Sequence, residues 1–291
     1  MRDLSEERLA DAVIERFADI ADERSRRVLT ALVRHLHAFA REVELTEEEW
    51  MLGIRFLTAT GQISSGTRQE FILLSDVLGL SALVDAMNHR VPEGATPSTV
   101  LGPFFVEGAP ELPNGADLTV GVDTSNVAGQ PTWVNGRVLT HAGRPIADAA
   151  VDVWQTRPDS LYDVQDDDTS MQMRARFRTD VDGRFYFRTY KPVSYPVPKD
   201  GPVGGLLELV GGHGMRPAHI HAIASAPGYR TVVTHIFPAG DEYLDTDTVF
   251  AVKDALVADF RPVDSVEEAA RLDMPSPFLQ VDFDFRLMAA G

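Results

Sequence analysis

The sequence predicts an α+β protein, a helical N-terminal region followed by an all-β sandwich. Three observations carry this reading. Apolar residues recur at helical spacing through the first third of the chain. A Pro- and Gly-rich stretch, VPEGATPSTVLGPFFVEGAPELPNG (91–115), then breaks the pattern. From about residue 130 the period becomes two, in short runs bounded by turn residues. The expected division is a helical linker region over residues 1–110 and a β-sandwich over 111–291.

Each helical segment has its own signal. LSEERLADAVIERFADI places Leu9, Val13, Phe17 and Ile20 on one face, and SRRVLTALVRHLHAFAREV repeats the spacing with Val28, Leu32, His35 or Leu36, and Phe39. TEEEWMLGIRFLTATGQ opens on a capping box, Thr46 with Glu49, and continues through Trp50, Ile54 and Leu57. TRQEFILLSDVLGLSALVDAM opens the same way with Thr67 and Glu70, and Gly79 interrupts it.

The β region is read from TWVNGRVLT, AAVDVWQT, RARFRTD, GRFYFRTY, PAHIHAIASA, YRTVVTHIF and FLQVDFDF. In TDVDGRFYF, Asp182-Gly183 reads as the turn of a hairpin. Seven or more such strands argue for a sandwich. DTVFAVKDALVADF is the one late stretch expected to be helical, as one helix or a pair of helical turns.

Composition narrows the function classes. The 291 residues are 44% hydrophobic, enough for a sizeable core. Acidic residues outnumber basic ones 44 to 27, for a net charge of −17. Such a surface repels phosphate backbones, so no nucleic-acid partner is expected. There is no cysteine, which excludes disulfides, thiolate metal sites and a cysteine nucleophile. No apolar run approaches the roughly 18 residues of a membrane span. MRDLSEERLADAV lacks an apolar signal core, and the expected location is cytoplasmic.

Within RPAHIHAIASA, His219 and His221 lie two apart in a strand-like run, so both rings share a face and could hold one ion. Alone, two ordinary buried histidines explain the pair as well; other ligands must come from elsewhere. Tyr162 follows the strand ending in Val153-Trp154, and Tyr195 lies between prolines. Both contexts make poor core, whereas Tyr186 alternates within a strand. A phenol has a reference pKa of about 10, which a trivalent ion lowers to give a stable phenolate. Two phenolates and two neutral imidazoles leave a ferric ion with one net positive charge, which a hydroxide neutralises. Zn²⁺ favours histidine with carboxylate and has little need of two phenolates.

Tyr162, Tyr195, RPAHIH with Arg216, His219 and His221, and STVLGPFFVEGAP together resemble the intradiol ring-cleavage dioxygenases, the catechol and hydroxyquinol 1,2-dioxygenases. The resemblance covers nearly the whole chain. It implies one Fe(III) per chain, held by Tyr162, Tyr195, His219 and His221 with a hydroxide as fifth ligand, Tyr195 and His221 being axial. It also implies that a catecholic substrate binds through its two adjacent oxygens, that Tyr195 and the hydroxide take up its protons, and that O₂ attacks the ring. Cleavage then falls between the two hydroxylated carbons and gives a cis,cis-muconate. Arg216 would stabilise the electron density that builds on the ring; a surface arginine is the plain alternative. By similarity Leu73, Asp76, Val100, Leu101, Gly102, Pro103 and Phe104 line the substrate pocket. Leu73 and Asp76 are three apart on the expected helix and can face one side, although Asp76 could equally be a surface acid.

SYPVPKDGPVGGLL and VTHIFPAGDEYLD resemble the hydroxyquinol branch, with His235 where many catechol enzymes carry glutamine; His235 is expected in the substrate pocket. The expected reaction is cleavage of hydroxyquinol (benzene-1,2,4-triol) to 3-hydroxy-cis,cis-muconate or maleylacetate in aromatic catabolism. Catechol or a chlorocatechol is the alternative within the class. Outside it stand a non-catalytic, metal-containing sandwich that binds a ligand or protein, and a hydrolase using His219 or His235 as base. Neither explains the two loop tyrosines. The apolar stripes of the N-terminal helices predict a homodimer formed through them, and the resemblance adds a lipid-holding cavity there.

Overall fold

The computed structural model describes residues 4–66, 68–165 and 171–291. They divide into two compact units, residues 1–59 and 60–291. The first carries α1 (Glu6–Glu15), α2 (Glu23–Glu42) and most of α3 (Glu47–Ile63). The capping box at Thr46 forms as expected. The Thr46 hydroxyl accepts the Glu49 N–H at 3.2 Å, and the Glu49 carboxylate accepts the Thr46 N–H at 3.0 Å. Asp22 caps α2 by accepting the Ser25 N–H at 2.7 Å. None of the α2 side chains is buried. Its stripe of Val28, Leu32, Leu36 and Phe39 is 46–55% exposed. Among the described residues no helix is long and apolar enough to cross a membrane.

The second unit opens with α4 (Glu70–Val77) and α5 (Leu80–Asn88), which break at Gly79 with φ of 71°, as the sequence predicts. Thr67 lies outside the described residues. The box expected between Thr67 and Glu70 therefore lies outside them too. Glu70 itself is buried, pairs with Arg68, and accepts the Val203 N–H at 3.2 Å. Val203 lies in the first turn of α6 (Pro202–Leu209), a helix that the sequence pattern does not predict. PVGGLLEL has two glycines and weak helical propensity. Its buried first-turn N–H, which has no partner within the helix, is satisfied by a carboxylate 133 residues away.

The strands are β1 (Pro131–Thr140), β2 (Ala150–Gln155), β3 (Arg174–Arg178), β4 (Arg184–Tyr190), β5 (Tyr195–Pro196), β6 (Met215–Arg216), β7 (Ile220–Ser225), β8 (Val232–Pro238), β9 (Val257–Ala258), β10 (Arg261–Val263), β11 (Phe278–Asp282) and β12 (Phe285–Leu287). One sheet centres on β1, flanked by antiparallel β4 on one side and by parallel β11 and β12 on the other, with β10 beyond β11. The second sheet runs β3-β2-β7-β8-β9. β5 and β6 form a separate ribbon that pairs Tyr195 with Arg216. Val134, Phe185, Phe187, Val281 and Phe285 of the first sheet meet Val151, Val153, Phe177, Ile220 and Ile236 of the second in one core.

Two expectations fail here. β3 and β4 are not a hairpin: β3 pairs with β2 and β4 with β1, so the Asp182-Gly183 turn crosses from one sheet to the other. Gly183 does supply a positive φ, 72°. Alternation and a turn specify reversal of the chain, not the strand it will pair with. The segment 247–260 is largely coil, with one 3₁₀ turn at Asp254–Leu256 running into β9. The late α-helix is instead α7 (Val266–Leu272), capped by Ser265, whose hydroxyl accepts the Glu268 N–H at 3.1 Å.

Residues 89–130 form a strap that hydrogen-bonds along the sandwich. Thr96 exchanges bonds with Arg286, and the Thr99 N–H donates to the Val233 carbonyl at 2.8 Å. Leu112 and Leu118 donate to Arg176 and Arg188. Its backbone is thus satisfied without regular structure.

Candidate metal centre

Alternation along β7 sends Ile220, Ala222 and Ala224 into the core and leaves His221 on the outer face of its sheet. Register then builds a row across that face. Trp154 of β2 lies opposite His221, and His221 lies opposite His235 of β8. Trp154 stacks on the His221 ring at 4.5 Å and 8°. His219 precedes β7 rather than lying within it, yet the two rings converge as the sequence predicts, with Nε2 atoms 3.1 Å apart.

Tyr162 and Tyr195 join them. Tyr162 lies between β2 and a 3₁₀ turn at Asp163–Gln165, its N–H held by the Gln165 side chain at 2.9 Å. Tyr195 is fixed by its ribbon pairing with Arg216. The Tyr162 oxygen lies 3.1 Å from His221 Nε2, 3.4 Å from His219 Nε2 and 3.4 Å from the Tyr195 oxygen. All four side chains are at most 3% exposed. Donors bound at about 2.0–2.1 Å to a first-row ion are separated by such distances, so the set fits a metal. Its protonation pattern fits too. His219 Nδ1 lies 2.7 Å from the Pro217 carbonyl oxygen, an acceptor only. Nδ1 therefore carries the proton and a bare Nε2 faces the other donors.

Electrostatics point the same way. Burial, then the neighbouring Tyr195, pushes the Tyr162 phenol well above its ordinary pKa; a cation is what would hold it ionised. Burial pushes His219, His221 and His235 well below theirs, which keeps the rings in the neutral, ligating form. Arg216 Nη1 lies 3.3 Å from the Tyr195 oxygen and 3.2 Å from His219 Nε2. Burial opposes its charge, but Tyr195 and Asp247 outweigh burial and raise its pKa. Asp247 accepts from Arg216 Nε at 3.2 Å and from the Ala251 N–H at 2.9 Å.

His235 also has a ring nitrogen within 4.8 Å of those of His219 and His221. It does not join the same cluster of donors. Its Nε2 lies 2.7 Å from His221 Nδ1, the nitrogen opposite the one that faces Tyr162. His235 is 0% exposed and stands behind His221 rather than on a cavity wall. The sequence predicts it in the substrate pocket; it is absent from the lining of the cavity that opens against the tyrosine segments.

A cavity of about 630 Å³ opens against the segments that carry the two tyrosines, although none of the four donors lines it. Leu73, Pro103 and Phe104 line it, with Leu161 and Val164 on either side of Tyr162, and Pro196 and Val197 after Tyr195. Phe104 stacks on Tyr162 at 4.5 Å. Val100 is buried, and Leu101 is 41% exposed. Gly102 is packed so tightly that a Cβ there would lie 3.1 Å from His221 Cε1. Asp76 is buried but does not line the cavity. Burial raises its pKa, while the Ser81 hydroxyl and Arg216 pull it back down. The sequence reading missed Trp154, Asp247 and the buried Arg174–Asp163 ion pair beside Tyr162. These meet through strand register and loop return, which leave no linear motif.

Residues 100–289 match the family described as Dioxygenase, and residues 22–96 match the Catechol dioxygenase N terminus. The chain belongs to the intradiol ring-cleavage dioxygenases, enzymes built on this α+β fold. A 6-chlorohydroxyquinol 1,2-dioxygenase of Cupriavidus pinatubonensis is 51% identical, over 94% of this chain and 97% of that protein. A hydroxyquinol 1,2-dioxygenase of Rhizobium sp. is 48% identical, over 97% and 95%. The crystal structure of hydroxyquinol 1,2-dioxygenase from Pseudomonas putida DLL-E4 superposes with a TM-score of 0.88 at 46% identity, over 98% of this chain and 99% of that one.

Proposed function

We propose that this chain cleaves hydroxyquinol with O₂ between its adjacent hydroxylated carbons, giving 3-hydroxy-cis,cis-muconate or maleylacetate. One Fe(III) per chain is held by Tyr162, Tyr195, His219 and His221. The observation that carries the reading is the convergence of two phenol oxygens and two imidazole nitrogens at 3.1–3.4 Å beside a cavity. When bound, Fe(III) would act as a Lewis acid that holds the two catecholic oxygens in their deprotonated form, and it is that dianionic ring that is electron-rich toward O₂. Tyr195 acts as base, accepting a substrate proton at its phenol oxygen. Arg216, 3.3 Å from that oxygen, is fixed by Asp247 and stabilises charge that builds on the ring. Leu73, Pro103 and Phe104 hold the apolar ring face and exclude water. Val100, Leu101 and Gly102 shape the adjoining wall.

Asp76 is assigned to the third hydroxyl on the family resemblance: it lies one helical turn from the cavity-lining Leu73 but behind the lining itself, so the assignment requires the substrate to reach past that wall. A site built to hydrogen-bond a hydroxyl rejects the analogue that lacks it. We expect kcat/KM for hydroxyquinol to exceed that for catechol by at least about tenfold, roughly 1.4 kcal/mol. Asp76→Ala should erode the ratio chiefly by slowing hydroxyquinol. Oxygen uptake with product spectra over hydroxyquinol, catechol and a chlorocatechol tests this; equal turnover of catechol overturns the substrate. The relative at 51% identity favours a second reading, a chlorinated hydroxyquinol, which adding 6-chlorohydroxyquinol to the panel separates. An iron-replete protein without visible tyrosinate absorption would overturn the metal assignment. The reading includes a cytoplasmic location and a homodimer joined through residues 1–59, with a lipid at the interface. The exposed stripe on α2 supports the dimer.

A further inference from the structure

His219 and His221 are oriented by different means. The Pro217 carbonyl fixes the tautomer of His219, but the Nδ1 of His221 faces another imidazole, His235, at 2.7 Å. Between two neutral imidazoles either ring can donate. If His235 donates, His221 must carry its own proton on Nε2. That proton then points among Tyr162 and His219, each 3.1 Å away, and His221 cannot be a ligand. If His221 donates, its Nε2 is bare. The remaining ring nitrogen of His235, Nδ1, is buried and has no hydrogen-bond partner among the described residues. No second bond therefore ties His235 to one tautomer.

We propose that His235 is the positioning residue of His221: its Nε2 accepts the Nδ1–H of His221 and so keeps Nε2 of His221 free for the metal. The proposal rests on the reading of the four ligands above. The strand register supports it. β7 and β8 pair His221 with His235 directly, the two rings meeting at 4.2 Å and 86°. Trp154 meanwhile stacks flat on His221 from the other neighbouring strand. Trp154 thus fixes where the ring lies, and His235 fixes which nitrogen carries the proton. A neutral acceptor also suits the centre. A carboxylate in its place would add a negative charge behind a site that already carries two phenols. Both rings stay neutral on metal loading: with the shared proton on His221 Nδ1, the proton of His235 sits on its own buried Nδ1, which has no acceptor among the described residues, a cost that the bond from His221 Nε2 to the metal must offset.

The test is metal retention in the full-length protein. The amide oxygen of His235→Gln can still accept the bond, and His235→Phe cannot. We expect His235→Phe to lose iron to a chelator roughly 10–100-fold more readily than wild type, and His235→Gln to recover most of the difference. Wild type loaded with diamagnetic Ga³⁺ gives a readout that needs no variant to fold. Long-range ¹H–¹⁵N spectra should show His221 protonated at Nδ1 and His235 unprotonated at Nε2. A loaded protein with His221 protonated at Nε2 overturns the proposal. So does a His235→Phe variant with wild-type iron retention and a raised KM for hydroxyquinol, which would return His235 to the substrate pocket. If wild type binds neither iron nor Ga³⁺, the metal reading fails first and this proposal with it.

Discussion

At the scale of single residues, Tyr162 is the hub of the centre, because its oxygen lies within 3.4 Å of the other three donors. Tyr162→Phe removes the atom they share, and iron content measured after purification should fall to near zero. Tyr195→Phe removes a peripheral donor, the one also proposed to accept the substrate's proton. It should retain part of the iron while kcat drops about 10²–10⁴-fold, the range of a lost general base. Equal iron and wild-type turnover in that variant would withdraw the role given to Tyr195. Gly102→Ala probes the packing behind His221. Its φ of 76° costs an alanine about 1–2 kcal/mol, and the new Cβ presses on His221 Cε1. We expect both a lower Tm and weaker iron binding; a lower Tm alone would mean that the ring was not displaced. The convergence of these four side chains was legible only from their combination, two loop phenols with paired histidines in an apolar run, since the pair alone reads as ordinary buried histidines. Trp154 and His235 were not, because their roles exist only through cross-strand register.

At the scale of elements, the strap is anchored to α5 through one carboxylate. Asp85 accepts from the Ser98 hydroxyl at 2.6 Å and from Lys253 Nζ at 2.9 Å, and contacts His89 at 2.9 Å. Burial alone would raise its pKa, but Ser98, Lys253 and His89 outweigh it and leave it below the usual carboxylate value. A depressed folded-state pKa gives stability that is present above the unfolded value, about 3.9, and lost as pH falls through the folded one. Asp85→Asn should therefore cost about 1–3 kcal/mol at pH 7 by urea denaturation. The gap to wild type should narrow below about pH 4; a gap independent of pH would point to packing instead of charge. Elements with local punctuation, such as the Thr46 box and the break at Gly79, were legible. The pairing of β3 and β4 was not, since turn chemistry is silent about which sheet receives the next strand. The start of α7 does carry a local signal, Ser265 with Glu268, but the helix is only seven residues long, too short for a clear apolar period.

At the scale of the whole molecule, α2 presents Leu32 and Leu36, more than half exposed, on one stripe. A second copy of the chain can bury such a stripe isologously. Light scattering at micromolar concentration should give a dimer, and Leu32→Asp with Leu36→Asp should give a monomer that keeps its far-UV spectrum. A wild-type monomer, or a doubly substituted dimer, would remove residues 1–59 from the interface. The sandwich itself was legible as a class from alternation alone. Its placement of the site was not, because the outer face of a sheet becomes a buried centre only once a strap without regular structure is laid along the sandwich.

The pairing of β1 bears on how the chain acquires its shape over time. Asn135 of β1 aligns with Asp282 of β11, and Val138 with Phe285 of β12. One flank of this central strand thus waits for residues made far later, while the other is filled early by β4. Pairings so distant in sequence are slow to close. During synthesis β1 remains an open edge until residues 278–287 have left the ribosome, a period in which the nascent chain is exposed to wrong partners.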